Sequence, residues 1–310
     1  MKIGVIGAGA VGSASLLSLV MRGLACEIIV LDRNERRAKG VVADLQYGAT
    51  LSPAVTLCAG DYSDLADAML VIITAGVNEK AGGAIDRSDP AGRLKLLAAN
   101  AEIYRDVVPR IVAVAQTALI LVVSDPPDPL AALARRLAGH DRVLSSGTYL
   151  DTLRFRFHLA RRLGVSPRFV EAQVVGEHGT SQVFLWSSAR VAGMAVAATL
   201  GEHGQSATEF RRRVEDEVRY ANISIIEGTG ASQLGIGMAT ARIAEAVLRD
   251  EHAVIPIGSF NQRYGTTLSL PSVLGRSGVI RVLEPEMSEE EQQGLQRSAD
   301  RLREAVGAQH

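Results

Sequence analysis

The stretch Val175-Gly176-Glu177-His178-Gly179 places a histidine between two glycines, directly after the strand-like run FVEAQVV. An imidazole is the side chain best suited to carry a proton near neutral pH. The flanking glycines leave it little side-chain cover. A histidine in a glycine turn is more often structural, so it needs partners before it means chemistry. Asp151 and Arg154 stand three residues apart in LDTLRFR, on one face of a helical pattern. At a surface such a pair is worth under ~1 kcal/mol. Arg93 opens another helical stretch, GRLKLL, where it could equally be an ordinary helix-start residue. No spacing rule links residues 151, 154 and 93 to residue 178.

A second group has a firmer internal logic. Gly7-Ala8-Gly9-Ala10-Val11-Gly12 follows an apolar strand and opens a helix, and Asp32 lies twenty residues beyond Gly12 at the end of the next strand. That is the full context of a dinucleotide-binding fingerprint. Gly7 permits the tight turn, Gly9 lets backbone approach a pyrophosphate, and Gly12 lets helix pack on strand. The helix N-terminus offers its unpaired N–H groups to phosphate. Asp32 suits a ribose diol and would repel a 2′-phosphate, which favours NAD over NADP. Arg33 next to it weakens that preference.

These residues need a frame. Strands are predicted at 2–8, 27–32, 54–59, 69–75, 118–124 and 142–147, with helical patterns between them. Strands apolar on both faces and separated by helices imply a parallel sheet covered on each side. The expected fold class is α/β: an N-terminal Rossmann-type parallel-sheet domain over residues 1–147, then a mixed α+β catalytic domain over 148–310. The second part should hold one long helix near 205–228 and another near 234–250. A hairpin should turn at Tyr264-Gly265, and a terminal helix should be opened by the capping-box pair Ser288 and Glu291.

A chain of 310 residues can build a large core, and 47% apolar with 22% charged residues is ordinary for a soluble protein. A net charge of −1 gives no reason to expect nucleic acid or an anionic membrane as partner. The glycines of the N-terminal apolar run argue against a signal peptide, and no segment reaches the ~18 apolar residues of a membrane span. A cytoplasmic protein is expected. Cys26 and Cys58 have no metal-ligand spacing and are expected to be buried free thiols; no metal is expected.

Across almost its whole length the chain resembles the L-lactate/malate dehydrogenase family, and within it the bacterial L-lactate dehydrogenases. The resemblance runs through GAGAVGSA, ITAG, GRLKLLAAN, VVSDPPD, SGTYLDTLRFR, VVGEHG, IIEGTGAS and LSLPSVLGRSGV. It implies that His178 is the acid/base, Asp151 its carboxylate partner, Arg154 the clamp on the substrate carboxylate and Arg93 the arginine that polarises the carbonyl. It also implies cofactor contacts from Val11, Asp32, Gly76 and Ser146, with Tyr62 and Asn100 as weaker candidates. Ser232 stands where the family usually has threonine near the substrate. The expected reaction interconverts a small 2-keto acid and its L-2-hydroxy acid, with pyruvate and L-lactate first. Malate-type specificity, or an NAD-binding member with impaired turnover, is the alternative. A homodimer or homotetramer is implied; no arm precedes Lys2, so arm-mediated tetramer contacts are not expected.

Three departures bear on the substrate. Asp125 replaces an asparagine that could donate to substrate oxygen; an ionised carboxylate cannot. It is expected to be protonated by burial and like charge, to turn away, or to meet a different ligand, and an Asx-type turn is its bland reading. The loop between Gly76 and Arg93 is long. Counting from ITAG puts Glu79 at the position that selects the substrate side chain, with Lys80 and Arg87 as rivals, while GGAIDRSDP reads equally as a surface loop. Thr180 replaces an aspartate after GEHG. Finally, Arg156 matches an effector-site arginine, but Glu171 replaces its histidine partner, so no activation by fructose 1,6-bisphosphate is expected.

Overall fold

The structure is a computed structural model describing residues 1–81, 85–89, 91–196 and 207–308. Six parallel strands form the frame: β1 (Lys2–Ile6), β2 (Glu27–Leu31), β3 (Thr56–Ala59), β4 (Leu70–Ile73), β5 (Leu119–Val122) and β6 (Val143–Ser145). They lie in the order β3-β2-β1-β4-β5-β6. The order reverses between β1 and β4, and ligands of open α/β sheets bind in the crevice at the carboxyl ends there. Each predicted strand is present, trimmed by one to three residues where the chain enters its loops.

The helices α1 (Ala10–Arg22), α2 (Glu35–Ala49), α3 (Leu97–Val114) and α4 (Pro127–Ala138) connect these strands. Side chains such as Leu16, Leu19, Ile28 and Leu70 fill one face of the sheet. Val71, Ile73, Tyr104 and Ile111 fill the other. This two-sided burial is why the strands read as unbroken apolar runs.

After β6 comes α5 (Tyr149–Leu163), then short strands β7 (Val170–Glu171), β8 (Val174–Val175), β9 (Val183–Phe184), β10 (Arg190–Val191) and β11 (Met194–Ala195). Phe155 anchors a separate core here, edge-on to Phe184 and Trp186 at centroid distances of 5.2 and 4.8 Å. The expected single helix near 205–228 is two, α6 (Ala207–Arg219) and α7 (Ala221–Thr229), with its first two residues outside those described. Tyr220 breaks it, leaving helical geometry at φ −104° and ψ 10°, and no glycine or proline there marks the break.

Next comes α8 (Leu234–Leu248), followed by β12 (Ala253–Asn261) and β13 (Thr266–Gly275), the predicted hairpin, and a third strand β14 (Gly278–Val282) that sequence reading omitted. Gly265 takes φ +64° in the turn. The hairpin does not stand apart. β12 pairs antiparallel with β6 through Gly258 and Ser145, giving nine strands in one sheet. The terminal helix α9 (Glu289–Gly307) opens with the expected capping box, Glu291 N donating to Ser288 Oγ (3.2 Å) and Ser288 N to Glu291 Oε2 (2.9 Å).

The cysteines differ from expectation. Cys26 is exposed because it precedes β2 rather than lying in it, and Cys58 is half-buried because β3 is the sheet edge.

α1 and α8 approach closely at Gly237. A Cβ there would stand 2.6 Å from the Ala14 carbonyl carbon. Gly237→Ala should therefore destabilise the protein by roughly 1–3 kcal/mol through overpacking, outweighing alanine's helix-propensity gain of about 1 kcal/mol. Chemical denaturation measures the sign directly.

Candidate active site

Gly7, Gly9 and Gly12 do three different things. Gly7 sits at φ +106°, where an added Cβ would meet the Ala75 amide nitrogen at 2.6 Å. At Gly12 a Cβ would lie 1.9 Å from the Gly7 carbonyl oxygen, whereas at Gly9 nothing lies within 4 Å. The first two are closed by the protein itself, and the third is an open cradle at the N-terminus of α1. That asymmetry fits a bound pyrophosphate. Asp32 spans the turn, accepting from Ala8 N and Asn34 N, each at 2.8 Å.

The turn leads into a cleft of about 610 Å³. Gly9, Val11, Gly76, Ser146 and Ser232 line it, together with Glu79, Arg93, Asp125, Arg154 and His178. Residues far apart in sequence meet because β1, β4, β5 and β6 all end at this edge. Of the other cofactor expectations, Gly7, Gly12 and Asp32 belong to the turn itself rather than to the cleft lining, and Tyr62 and Asn100 lie elsewhere. Tyr62 does not line the cleft; its ring carries the Arg110 guanidinium at 5.3 Å. Asn100 is wholly buried beneath the cleft, donating to the Asp125 carbonyl (2.6 Å) and accepting from Val77 N (2.6 Å).

At the far end His178 Nδ1 is hydrogen-bonded to Asp151 Oδ2, and Arg154 Nη1 donates to Asp151 Oδ1 (3.1 Å). Arg93 Nη1 lies 2.5 Å from His178 Nε2 and donates to Asp125 Oδ1 (3.0 Å) and Oδ2 (2.8 Å). A guanidinium can only donate. His178 Nε2 is therefore the acceptor, and the ring proton sits on Nδ1 facing Asp151. The i, i+3 pair of Asp151 and Arg154 is no surface ornament: the Asp151 side chain is 3% exposed and that of Arg154 12%.

Burial works to raise the Asp151 carboxyl, but His178, Arg154 and Arg93 outweigh it and hold it below its usual range. Asp125 behaves alike. Burial pushes it up, while Arg93, His178 and a hydrogen bond from Glu79 bring it down. Of the states left open for Asp125, the geometry favours the one in which the side chain turns aside, here to Arg93, which supplies the countercharge. Its side chain turns to Arg93 rather than into an Asx-type turn. Glu79 is the acid pushed the other way, raised to about 7 by burial and by the Asp125 charge.

Of the rivals for the specificity position, Glu79 lines the cleft. Lys80 is exposed, and Arg87 donates to Ser224 Oγ and Glu227 Oε2, both at 3.0 Å, on α7. Within GGAIDRSDP, Gly82, Gly83, Ala84 and Pro90 lie outside the described residues. Arg156 donates through Nε to the Ala172 carbonyl (2.9 Å), and Glu171 beside it is exposed. The Thr180 hydroxyl is buried and has no partner among the described residues.

Sequence reading missed two residues. Arg37, in the first turn of α2, lines the cleft on the glycine-turn side. Asp128, wholly buried in the first turn of α4, accepts from His178 N (2.7 Å) and from Ser145 Oγ. The only signal for Asp128 was an acid in a helix first turn, which is commonplace.

A largely parallel α/β sheet with a glycine cradle at its switch point, sharing a cleft with a histidine–aspartate pair and a buried arginine, has the form of a dinucleotide-binding fold. Family profiles place the chain further. Residues 1–144 match the lactate/malate dehydrogenase NAD binding domain, and 148–309 match the lactate/malate dehydrogenase alpha/beta C-terminal domain. The chain belongs to the lactate/malate dehydrogenase family. It is 44% identical to the L-lactate dehydrogenase of Deinococcus radiodurans, over 98% of this chain and 97% of that one. It is 40% identical to the L-lactate dehydrogenase of Thermus aquaticus, over 99% of each. Among solved structures, a lactate dehydrogenase from a Medee basin deep-sea metagenome library superposes with a TM-score of 0.90 at 34% identity, covering 99% of this chain and 98% of that one. The minor L-lactate dehydrogenase of Enterococcus mundtii does so at 0.91 and 31%, with the same coverage.

Two outcomes follow. Gly9→Ala should keep the melting temperature of the parent yet weaken NADH binding, whereas Gly12→Ala should lower the melting temperature as well; fluorescence titration and thermal melts separate the two. Burial raises Asp128 to about 6 from its ordinary 3.8. Between pH 4 and 6 the folded chain then holds a proton that the unfolded chain has lost, so this group's contribution to stability falls as pH rises. In Asp128→Asn the amide oxygen can still accept from His178 N, and its NH2 can face Ser145 Oγ. That variant should fold and should lose this part of the pH dependence, read from urea denaturation across the window.

Proposed function

We propose that the chain is an NAD-dependent L-2-hydroxy-acid dehydrogenase interconverting L-lactate and pyruvate. The observation that carries the reading is the His178–Asp151 contact at one end of the cleft that begins at the glycine cradle. Membership of the family and the names of the relatives support the reaction; the residue roles rest on this geometry.

Gly7, Gly9, Val11, Gly12, Asp32, Gly76 and Ser146 would hold the dinucleotide. When bound, the nicotinamide accepts the hydrogen of the substrate's second carbon with two electrons, or returns them in the reverse direction. The protein's own part is proton transfer and positioning. Arg154 grips the substrate carboxylate with parallel hydrogen bonds. In the oxidising direction His178 Nε2, an acceptor in the resting state, takes the hydroxyl proton as the substrate hydroxyl displaces the Arg93 N–H. The ring then carries a proton on each nitrogen, and the ionised Asp151 stabilises that charge. In the reducing direction the proton passes from Nε2 to the carbonyl oxygen. Arg93, already beside Nε2, polarises the C–O bond.

Malate-type specificity would need a cation at the side-chain end of the cleft, and Lys80 and Arg87 point elsewhere. We further propose residues 1–147 as the cofactor half and 148–310 as the catalytic half of a cytoplasmic homo-oligomer, on kinship. Among the described residues no helix is long and apolar enough to cross a membrane.

The test is steady-state reduction of pyruvate by NADH. His178→Asn should lower kcat/KM by ~10²–10⁴ while NADH still binds. Arg154→Lys should raise the KM for pyruvate about 10- to 100-fold by losing the two-pronged grip. NADH binding with no keto acid reduced would identify a binding member of the family and overturn the enzyme.

A further inference from the structure

Glu79 and Asp125 both line the cleft as an acidic wall joined by a side-chain hydrogen bond, and the Arg93 cation acts on both. Arg93 donates to both oxygens of Asp125, which uses up one carboxylate. No ion pair to Glu79 is present among the described residues. Asp151 is matched by His178 and Arg154. Glu79 is thus the acid in the cleft with no counter-charge of its own, and the two cations nearest it in sequence are turned away: Lys80 to solvent and Arg87 to Glu227.

Each class of substrate side chain meets this wall differently. A carboxylate adds a like charge beside Glu79 and Asp125. A methyl group gives Glu79 no partner, so the acid keeps its proton. An ammonium group pairs with the free charge and brings three N–H donors to the Glu79 carboxylate. Resting on the dehydrogenase reading above, we propose that Glu79, backed by Asp125, sets substrate preference and selects 2-hydroxy and 2-keto acids whose third carbon bears an ammonium group. The reaction is unchanged: the C–H and O–H bonds at the second carbon break, their hydrogens going to the nicotinamide and to His178 Nε2. The wall makes and breaks no bond.

The experiment compares NAD-dependent oxidation of L-isoserine (3-ammonium), L-lactate and L-malate by the full chain and by Glu79→Gln. It runs at mildly alkaline pH, above the value of about 7 at which Glu79 ionises. In the parent, kcat/KM for L-isoserine should exceed that for L-malate at least tenfold. In Glu79→Gln the ratio of L-isoserine to L-lactate should fall at least tenfold. A second readout needs no turnover. With NADH bound no oxidation can occur, and L-isoserine should raise the melting temperature of the parent complex but not that of the variant complex. If L-lactate is oxidised and the L-isoserine ratio is the same in both proteins, the wall has no role in selection and the proposal is overturned. If none of the three acids is oxidised by the parent, the dehydrogenase reading fails, and the wall with it.

Discussion

The hydrogen bond between His178 and Asp151 is the constraint on which the site depends. It joins a turn after β8 to a helix after β6, and it decides which ring nitrogen carries the proton. Once Nδ1 is committed to Asp151, Nε2 is the only atom left to exchange a proton with a ligand. Arg154 is tied to the same carboxylate, so the guanidinium and the imidazole are fixed relative to each other through one acid. Asp128 fixes the same histidine from behind, through its backbone. The residue is therefore held at two points, its ring by one buried carboxyl and its backbone N–H by another. One is kept ionised by its cationic neighbours and the other is pushed towards protonation by burial.

Much of this was visible in the amino-acid order, for identifiable reasons. The glycine turn and Asp32 lie within one β-α-β unit, where spacing alone carries the geometry. The parallel strands announced themselves because both faces are covered. The capping box before α9 is a local hydrogen-bond pattern and was read residue for residue. By contrast, joining Asp151 to His178 needed the family resemblance, because their distance in sequence has no physical content until β8 is laid beside α5.

Where sequence reading went astray, a long-range contact was at fault. For Asp125 three states stayed open, protonated, turned away or facing a different ligand, because Arg93, to which it turns, comes from a different segment. Cys26 and Cys58 were expected inside because their neighbours are apolar, but strand ends and sheet edges are set by topology. The division of the long helix at Tyr220 had no local signal at all. Asp128 was invisible for the opposite reason: an acid in a helix first turn is so common that nothing set it apart from the rest.

The seam between β6 and β12 has a mechanical consequence. At Gly258 a Cβ would fall 1.9 Å from Ser145 Oγ and 2.5 Å from Asp128 Oδ1. The absence of a side chain there lets the late hairpin dock against the early strands directly over the acid that anchors the histidine turn. Because one sheet runs through both parts of the chain, they cannot swing like jaws without unzipping that seam. A hinge between the two parts would have to break backbone pairing as well as side-chain contacts.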